Sequence, residues 1–347
     1  MRGSVVVLLV LGALAGCLSD PDADSEETGP AAVVRFLVIG DQGTGGEAQY
    51  QVAQAMKQVC AERGCDFVIA NGDNLYEAGA EDPYDERFEE LFERPYEGID
   101  LPFYLTLGNH DNDMSPVHAA AGTETGGGLG LWGRAGDHEV AYTFRDDRTT
   151  DRWNMPGRWY HVDLGVPELT VRLVSLDTSA FLVEGLPVLY DDPMNQQQKA
   201  DVSGWVQDSP ADWTFVFSHH PYRSNGQHDD AGSYDGFEQG PLAGDSLEAF
   251  YQGALCGHAD AFFAGHDHDL QWLEPQDDCA GTHLFVSGAA GKTRSLADED
   301  NPYRFQQGDI HGFLWVELRG DRFTGAFFDA DAALLYEDHF DRVAGET

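Results

Sequence analysis

Five apolar segments of this chain each end in acidic, amide or histidine side chains. Residues 33–40 ("VVRFLVIG") and 260–264 ("DAFFA") show the length and the β-branched or aromatic content of buried strands. Helical patterns separate several of these segments, so the alternation predicts an α/β core with parallel strands. The segments are followed by Asp41, by Asp73, by Asn109 and His110, by His219 and His220, and by His266 and His268.

These terminal residues are expected to meet at one place. In an open α/β sheet, ligands bind in the crevice outside the carboxyl ends of the strands. A single Asp after a strand is usually a turn residue or a helix cap. The hypothesis of a shared site therefore depends on all five groups together.

The segments between and after the strands support the same fold class. Val52, Met56, Val59 and Cys60 recur at helical spacing, and residues 245–256 show another helical pattern. The stretch "GFLWVELRGDRFTGAFFDADAALLYEDHF" (312–340) predicts antiparallel strands that join the parallel core.

The composition of the predicted cluster indicates metal chemistry. It combines carboxylate, amide and imidazole groups without a thiolate, a donor set that suits iron, zinc or manganese in an open catalytic geometry. The number of donors exceeds what one tetrahedral ion requires. Two ions that share a carboxylate, at the spacing used for displacement at phosphorus, are therefore the economical interpretation.

Five short motifs resemble, in order, the blocks of the calcineurin-like metallophosphoesterases. They are Asp41-Gln-Gly, Gly72-Asp73-Asn-Leu-Tyr76, Gly108-Asn109-His110-Asp111, Val216-Phe-Ser-His219 and Gly265-His266-Asp-His268. Tyr76, the stretch "RWNMPGRWY" and the position of His228, nine residues after His219, are similar to the small, tartrate-resistant purple acid phosphatases. The resemblance covers residues 33–341 and implies a four-layer α/β/β/α sandwich of two mixed β-sheets flanked by helices.

The resemblance also implies a ligand set. The first ion would be bound by Asp41, Asp73, Tyr76 and His268, and the second by Asp73 as bridge, Asn109, His219 and His266. A phenolate at Tyr76 implies Fe(III) at the first site, with Fe(II), Zn(II) or Mn(II) at the second. Two alternatives stay open: Tyr76 as a core aromatic residue, and His220 in place of His219.

Two further histidines are candidate catalytic residues. Two cations would lower the pKa of a bound water and provide hydroxide for attack on a phosphate monoester. His110 and His228 would then protonate or stabilise the leaving group, and Asp111 could orient the ring of His110. His228 could equally be a solvated residue of a polar loop. A phosphodiesterase or nucleotide pyrophosphatase on the same core, or a non-catalytic surface binding module, are the competing functions.

The N-terminal residues predict export. Residues 1–17 resemble a lipoprotein signal peptide, in which Cys17 would carry the lipid; otherwise the segment is an ordinary signal peptide. Residues 18–32 read as an acidic, flexible tether and 33–347 as a single domain with an insertion around 112–151. The Gly-rich part of that insertion, 122–139, is either a surface loop or a lid with Trp132 as a contact.

The cysteines and the net charge limit the cellular compartment and the binding partners that this protein can have. Cys60, Cys65, Cys256 and Cys279 allow three pairings, and Cys60–Cys65 with Cys256–Cys279 are the closest in sequence; metal binding by them is the alternative. A formal net charge of -41 excludes nucleic acid and anionic membrane surfaces as partners. We expect a monomer that acts on a small phosphorylated substrate, lipid-anchored through Cys17 in the periplasm or at the cell surface, or secreted.

Overall fold

The computed structural model describes residues 32–112, 135–182, 184, 192–237, 239–297 and 300–342. Cys17, the predicted signal peptide and nearly all of the predicted tether lie outside these residues, as does Trp132. No helix within the described ranges is long and apolar enough to cross a membrane.

Within these residues, fourteen strands form two mixed sheets of seven strands each. In chain order the strands are β1 Val33–Ile39, β2 Phe67–Ala70, β3 Phe103–Leu105, β4 Trp153–Asn154, β5 Tyr160–Val166, β6 Leu169–Leu176, β7 Trp213–Ser218, β8 Ala261–Ala264, β9 Leu270–Leu273, β10 His283–Ser287, β11 Tyr303–Gln307, β12 Gly312–Arg319, β13 Arg322–Asp329 and β14 Leu334–Asp341.

Each sheet combines a group of parallel strands with antiparallel strands, which lie at one edge of the first sheet and at both edges of the second. The first sheet has the order β14-β13-β12-β1-β2-β3-β4, and the second has the order β11-β9-β10-β8-β7-β6-β5. Strands β1 to β4 pair in parallel, as do β6, β7, β8 and β10, whereas β12, β13 and β14 add to β1 as antiparallel neighbours. The parallel core and the antiparallel strands predicted within 312–340 are both confirmed.

Aromatic side chains fill the space between the two sheets. Phe36 on β1 lies 5.7 Å from Phe215 on β7 and 5.9 Å from Phe263 on β8, measured between ring centroids. All three side chains are fully buried. Burial of each such ring stabilises the fold by roughly 1.5–3 kcal/mol, so this layer fixes how the sheets face each other. With the helices, it gives the predicted four-layer α/β/β/α sandwich.

The helices lie beside the sheets and connect their strands. They are α1 Glu47–Arg63, α2 Ala135–Tyr142, α3 Ser179–Leu182, α4 Asp192–Gln207 and α5 Asp245–Phe250, with π-helical turns at Glu89–Glu93 and Tyr251–Leu255 and 3-10 turns at Tyr234–Gly236, Pro241–Ala243 and Asp277–Cys279. Helix α1 buries Val52, Met56 and Val59, as their spacing predicted. The helix predicted over 245–256 is α5 continued by a π-helical turn.

Part of the predicted insertion belongs to the core. Within 112–151, residues 113–134 lie outside the described part of the chain, but α2 follows them and buries Ala135, Gly136, Glu139 and Tyr142. The ring of Tyr142 stacks on Phe88 with centroids 3.9 Å apart. The interpretation of 122–139 as surface loop or lid is therefore wrong for its last residues, because their side chains pack inward.

Two disulfides have the predicted pairing. Cys60 is bonded to Cys65, across the end of α1, and Cys256 is bonded to Cys279. The four thiols are thereby used up, which excludes the alternative that they bind a metal. Disulfides persist in oxidising compartments, so the pairing is compatible with export.

Candidate metal centre

The five strand ends converge at one edge of the sandwich. Asp41 follows β1, Asp73 follows β2, Asn109 and His110 follow β3, His219 follows β7, and His266 and His268 follow β8. All seven side chains are buried, with at most 9% of their surface exposed. Because β1 to β3 belong to one sheet and β7 and β8 to the other, the site is built by both sheets.

Close packing of the loops depends on glycine at two positions. A Cβ atom on Gly108 would lie 2.1 Å from Oδ1 of Asp73, and one on Gly72 would lie 2.7 Å from the backbone nitrogen of Gly108. Gly72 also has a φ of 87°, which favours glycine. These glycines allow the loops after β2 and β3 to touch, and the contact brings Asp73 next to Asn109.

Three of the candidate ligands have an unusual backbone. Asp41, Asp73 and His266 have φ values of 57°, 54° and 70°, in the left-handed region that non-glycine residues rarely occupy. Each such residue costs on the order of 1 kcal/mol and persists where the surrounding structure holds it. Such conformations cluster at functional sites, and here they coincide with the strand ends picked out by the sequence.

His219 is the centre of one group of donor atoms. Its Nδ1 lies 2.9 Å from the backbone carbonyl of Asn71 and donates to it, which leaves Nε2 with a lone pair in the neutral ring. That Nε2 lies 2.7 Å from Oδ1 of Asn109, 3.5 Å from Oδ1 of Asp73 and 3.2 Å from Nδ1 of His266. In this tautomer Nε2 of His219 and the Oδ1 atoms of Asn109 and Asp73 are all acceptors, an arrangement that a cation would stabilise.

A second group surrounds Tyr76. The hydroxyl of Tyr76 donates to Oδ1 of Asp41 over 3.1 Å and lies 3.4 Å from Nε2 of His268. Nε2 of His268 is also 3.4 Å from Oδ1 of Asp41. Asp41, Asp73 and His219 each place one potential ligand atom within 4.8 Å of the others, so the two groups adjoin. The chemistry of these donors fits two adjacent ions.

The two histidines of the His-Asp-His triplet belong to different groups because the backbone turns between them. Extended backbone would project both rings to the same side. In the structure His266 has a left-handed φ, and its backbone nitrogen donates to Oδ2 of Asp41 over 2.9 Å. This turn directs His266 toward His219 and His268 toward Asp41.

His220 packs against the donor groups, with its ring centroid 4.4 Å from that of His266, but its nitrogen bonds elsewhere. Its Nδ1 is 2.7 Å from the hydroxyl of Thr178, and it packs against Tyr234. Burial, followed by the nearby His219, lowers the pKa of His220 well below its ordinary value. The ring is therefore a neutral, hydrogen-bonded part of the interior, and His219 is the histidine at the site.

Charge is unevenly distributed within the site. Burial opposes ionisation of Asp73, but His219, His110 and the Tyr76 hydroxyl outweigh it, so the pKa of Asp73 is lowered. Burial likewise opposes protonation of His219, yet the carboxylates of Asp73 and Asp41 raise its pKa. Burial, and then the same two carboxylates, raise the pKa of Tyr76 well above its ordinary value. The carboxylates thus demand a positive charge between them.

His110 is oriented by a backbone carbonyl and not by Asp111. Its Nδ1 lies 2.7 Å from the carbonyl oxygen of Glu77, and its ring meets Tyr76 edge to face with centroids 4.7 Å apart. Asp111 faces the other way and accepts from the backbone nitrogens of Asn74 and Gly108, both over 2.8 Å. The predicted orienting role of Asp111 is wrong because the loop after β2 takes up its oxygens.

His228 lies at the site and is not a solvated loop residue. Its ring stacks on His266 with centroids 4.1 Å apart, and its Nδ1 is 2.6 Å from Oδ1 of Asp235. On the other edge of the ring, Nε2 contacts the guanidinium of Arg294. Burial opposes protonation of His228, but the hydrogen bond that its Nδ1 donates to Asp235 and the charge of Asp267 raise its pKa.

Sequence reasoning missed the residues that hold these rings in place. Asn71 and Glu77 act through backbone carbonyls, which no side-chain pattern reveals. Asp235 gave no local signal, since acidic residues are abundant in this chain. Arg294 did carry one, because it is a basic residue in the Gly-rich segment "SGAAGKTRS" that follows strand β10.

The fold and the buried donor cluster define a metallophosphoesterase. The chain belongs to the calcineurin-like phosphoesterase family, whose model matches residues 34–270. That range contains every candidate metal ligand and both candidate catalytic histidines. The site is thus that of a phosphoester hydrolase with a donor set suited to two metal ions.

The individual relatives have low sequence identity to this chain. The chain is 26% identical to tartrate-resistant acid phosphatase type 5 of Homo sapiens, over 91% of this chain and 93% of the relative. It is 28% identical to purple acid phosphatase 17 of Arabidopsis thaliana, over 89% and 82% respectively. The fold is also similar to that of GAP50, the anchor in the inner membrane complex of Plasmodium, with a TM-score of 0.69 and 19% identity over 91% of this chain and 90% of that one.

Proposed function

We propose that this chain is an exported phosphatase that hydrolyses phosphate monoesters with two metal ions. Asp41, Asp73, Tyr76 and His268 would hold the first ion. Asn109, His219 and His266 would hold the second, with Asp73 shared between the two. The named activity of the acid phosphatase relatives supports this choice among the reactions of the family.

One observation carries the proposal. Nε2 of His219 lies 2.7 Å from Oδ1 of Asn109 and 3.5 Å from Oδ1 of Asp73, and all three atoms are acceptors when the neutral ring carries its proton on Nδ1. Buried acceptors that face one another are unfavourable unless a cation lies between them. The family and the donor chemistry favour metal ions as those cations.

When bound, the two cations would neutralise phosphate oxygens and lower the pKa of a coordinated water. The protein's own contribution to the leaving group would come from His110. Because Nδ1 of His110 donates to the Glu77 carbonyl, its Nε2 is directed toward the site, 3.9 Å from Oδ2 of Asp73. A proton on Nε2 could pass to the departing alkoxide.

His228 would act from the opposite side of the site. Its Nδ1 donates to Asp235, and the stack on His266 holds the ring against a proposed ligand. Its Nε2 accepts from Arg294, so the positive charge at this side is that of the guanidinium, which the ring holds in place. His228 would thus act together with Arg294 to stabilise the phosphate and its leaving group electrostatically. Its Nε2 faces Arg294, so His110 is the stronger candidate for proton donor.

The metal at the first site is proposed from Tyr76. A phenolate is a strong ligand for Fe(III), and Fe(II), Zn(II) or Mn(II) would occupy the second site. Metal analysis with a visible spectrum tests this: we expect about two metals per chain and a purple or pink colour. Tyr76→Phe should bleach the colour, and a colour that persists would contradict the assignment.

Substrate class is tested with nitrophenyl esters. A phosphomonoesterase should prefer 4-nitrophenyl phosphate to bis(4-nitrophenyl) phosphate, and the reverse preference would favour a phosphodiesterase. His110→Ala should keep both metals and lower turnover by about 10²- to 10⁴-fold. A protein that holds two metals but turns over neither ester would instead be a binding module.

The location is proposed from the N-terminal sequence. Residues 1–17 would be the lipoprotein signal, Cys17 the lipid-bearing residue, 18–32 the tether and 33–347 the enzyme domain, with an insertion around 112–151. The two disulfides support an oxidising compartment. Membrane partitioning that is abolished in Cys17→Ser would support the anchor, and partitioning unaffected by that change would contradict it.

A further inference from the structure

Two basic side chains lie on one short segment beside the candidate metal centre. The chain has 20 Lys and Arg residues against 61 Asp and Glu, and only three of the cations are lysines. Lys292 and Arg294 nevertheless both occur in the segment that follows strand β10. In a molecule with a formal net charge of -41, an anionic substrate is repelled at long range. Local cations at the site would offset that repulsion.

The segment is fixed to the site through its backbone. A Cβ atom on Gly291 would lie 2.7 Å from the carbonyl oxygen of Asp41, so this glycine packs directly on the first loop. The backbone nitrogen of Arg294 donates to the carbonyl of His268 over 2.9 Å, and its carbonyl accepts from Asp309 over 2.8 Å. Arg294 is therefore held at a constant position relative to the proposed ligands.

The two cations differ in their partners. The ammonium of Lys292 lies 3.5 Å from the centroid of the Tyr76 ring and 3.3 Å from both carboxylate oxygens of Glu77, so its charge is offset. Arg294 makes no ion pair with a carboxylate of the described residues, and its guanidinium contacts Nε2 of His228. A half-buried guanidinium whose partner is an imidazole keeps its affinity for an anion.

The position of Arg294 separates it from the phosphate that reacts. Its guanidinium forms no hydrogen bond with a proposed metal ligand among the described residues. It contacts the Nε2 edge of His228, and the face of that ring stacks on His266. The guanidinium thus lies one side chain further from the proposed ions than His228 does. An anion bound there would be attached to the reacting phosphate but distinct from it.

We propose that Arg294 binds a second phosphate group of the substrate, and that Lys292 assists it from the Tyr76 side. The preferred substrates would then be phosphate esters or anhydrides that carry two neighbouring phosphate groups. A guanidinium matches phosphate through paired N–H donors, which favours phosphate over a single-oxygen acceptor. This inference rests on the proposed function for the identity of the reacting group.

Binding tests the subsite without turnover. The metal-loaded protein would be titrated by calorimetry with ethylphosphonate and with ethane-1,2-diphosphonate. Wild type should bind the diphosphonate about 10-fold more tightly, and Arg294→Gln should lose that preference. Arg294→Lys should retain part of it, since the charge remains but the paired donors do not. Lys292→Gln should have a smaller effect, because Glu77 already offsets its charge.

Arg319→Gln is the matched control. Arg319 ends strand β12 and pairs in register with Val33, at the opposite end of β1 from the site, so its removal changes the net charge equally. The control should keep the preference for the diphosphonate. A preference that is absent in wild type, or that survives in Arg294→Gln, would overturn the subsite.

Turnover separates this inference from the proposed function. The ratio of kcat/KM for inorganic diphosphate to that for 4-nitrophenyl phosphate should fall about 10-fold in Arg294→Gln. If Arg294 serves only to position His228, kcat/KM should fall equally for both substrates. The ratio would then be unchanged, which would contradict the subsite. If wild type hydrolyses neither substrate but binds the diphosphonate through Arg294, the proposed function fails and the subsite stands.

Discussion

Two clusters of buried carboxylates lie side by side in this molecule and behave in opposite ways. In the donor cluster, Asp73 has a lowered pKa because two imidazoles and a phenol surround it. In the cluster behind it, burial and the charge of Asp73 raise the pKa of Asp111 to about 6, and burial and then Asp111 raise that of Glu139 well above its ordinary value. All three carboxyl groups are almost completely buried.

The difference between these clusters comes from the neighbours and not from depth. Asp73 faces groups that can carry positive charge. Asp111 instead accepts hydrogen bonds from neutral donors, the backbone nitrogens of Asn74, Leu75 and Gly108 and the side chain of Asn74. Equal burial therefore yields a carboxylate prepared for a cation in one place and a structural acceptor in the other.

The largest effect is expected at Asp73. Asp73→Asn removes the only charge shared by the two proposed ion sites, so both ions should be lost and activity should fall more than about 1,000-fold. Metal analysis and 4-nitrophenyl phosphate hydrolysis measure these losses. If the variant kept two ions per chain, Asp73 would not be the cation-binding carboxylate, and the contrast with Asp111 would fail.

A loss of stability is expected at Asp111. In Asp111→Asn an amide nitrogen replaces one oxygen and faces N–H donors, so the free energy of unfolding should fall by about 3 kcal/mol. Urea denaturation of the metal-free protein measures this, with circular dichroism as the check on the native fold. An unchanged midpoint would show that the donors around Asp111 do not depend on its carboxylate.

Because the pKa of Asp111 is raised, the folded protein should become less stable as the pH rises. Its pKa is about 6 when folded against 3.8 ordinarily, so the folded protein binds more protons between these values. The free energy of unfolding should therefore decrease by on the order of 2 kcal/mol as the pH rises from about 4 to about 6. Asp111→Asn should lack this component.

The same measurement on metal-loaded protein sharpens the comparison. Bound cations would neutralise Asp73, which is the second cause of the raised pKa of Asp111. The pH-dependent component should then shrink. A component of equal size with and without metals would mean that the two clusters are not coupled electrostatically.

The smallest effect is expected at Glu139. Its raised pKa favours the protonated form, and Glu139→Gln keeps a neutral donor beside Asp111 and the acceptor for Asn74. The free energy of unfolding should change by less than about 1 kcal/mol. A loss as large as that of Asp111→Asn would show that Glu139 is charged in the folded protein.

Much of the fold could be predicted because it depends on local patterns. The run before Asp41 is β1, the pattern through Val52, Met56 and Val59 is α1, and the cysteines closest in sequence form the disulfides. The convergence of strand ends also followed from the sequence, because parallel strands must share an edge. The extent of α2 could not be predicted, since its burial depends on contacts with distant residues such as Phe88.

The details of the site required the tertiary structure. The partner of the His110 ring is the carbonyl of Glu77, 33 positions away, and that of the His219 ring is the carbonyl of Asn71, 148 positions away. Backbone carbonyls are the same in every residue type, so no pattern of side chains could identify them. The left-handed turn at His266 was also missed, because non-glycine residues rarely adopt that conformation and only the surrounding contacts impose it here.

The sequence alone determined which donors stand at the strand ends and that they belong to one edge, because strand length, polarity and order are written in local residue choice. Only the tertiary structure decided which atoms face one another, which carboxyl groups have a raised pKa and which side chain Arg294 contacts. Those outcomes depend on the distances between loops of two sheets, and packing across the aromatic core sets these distances.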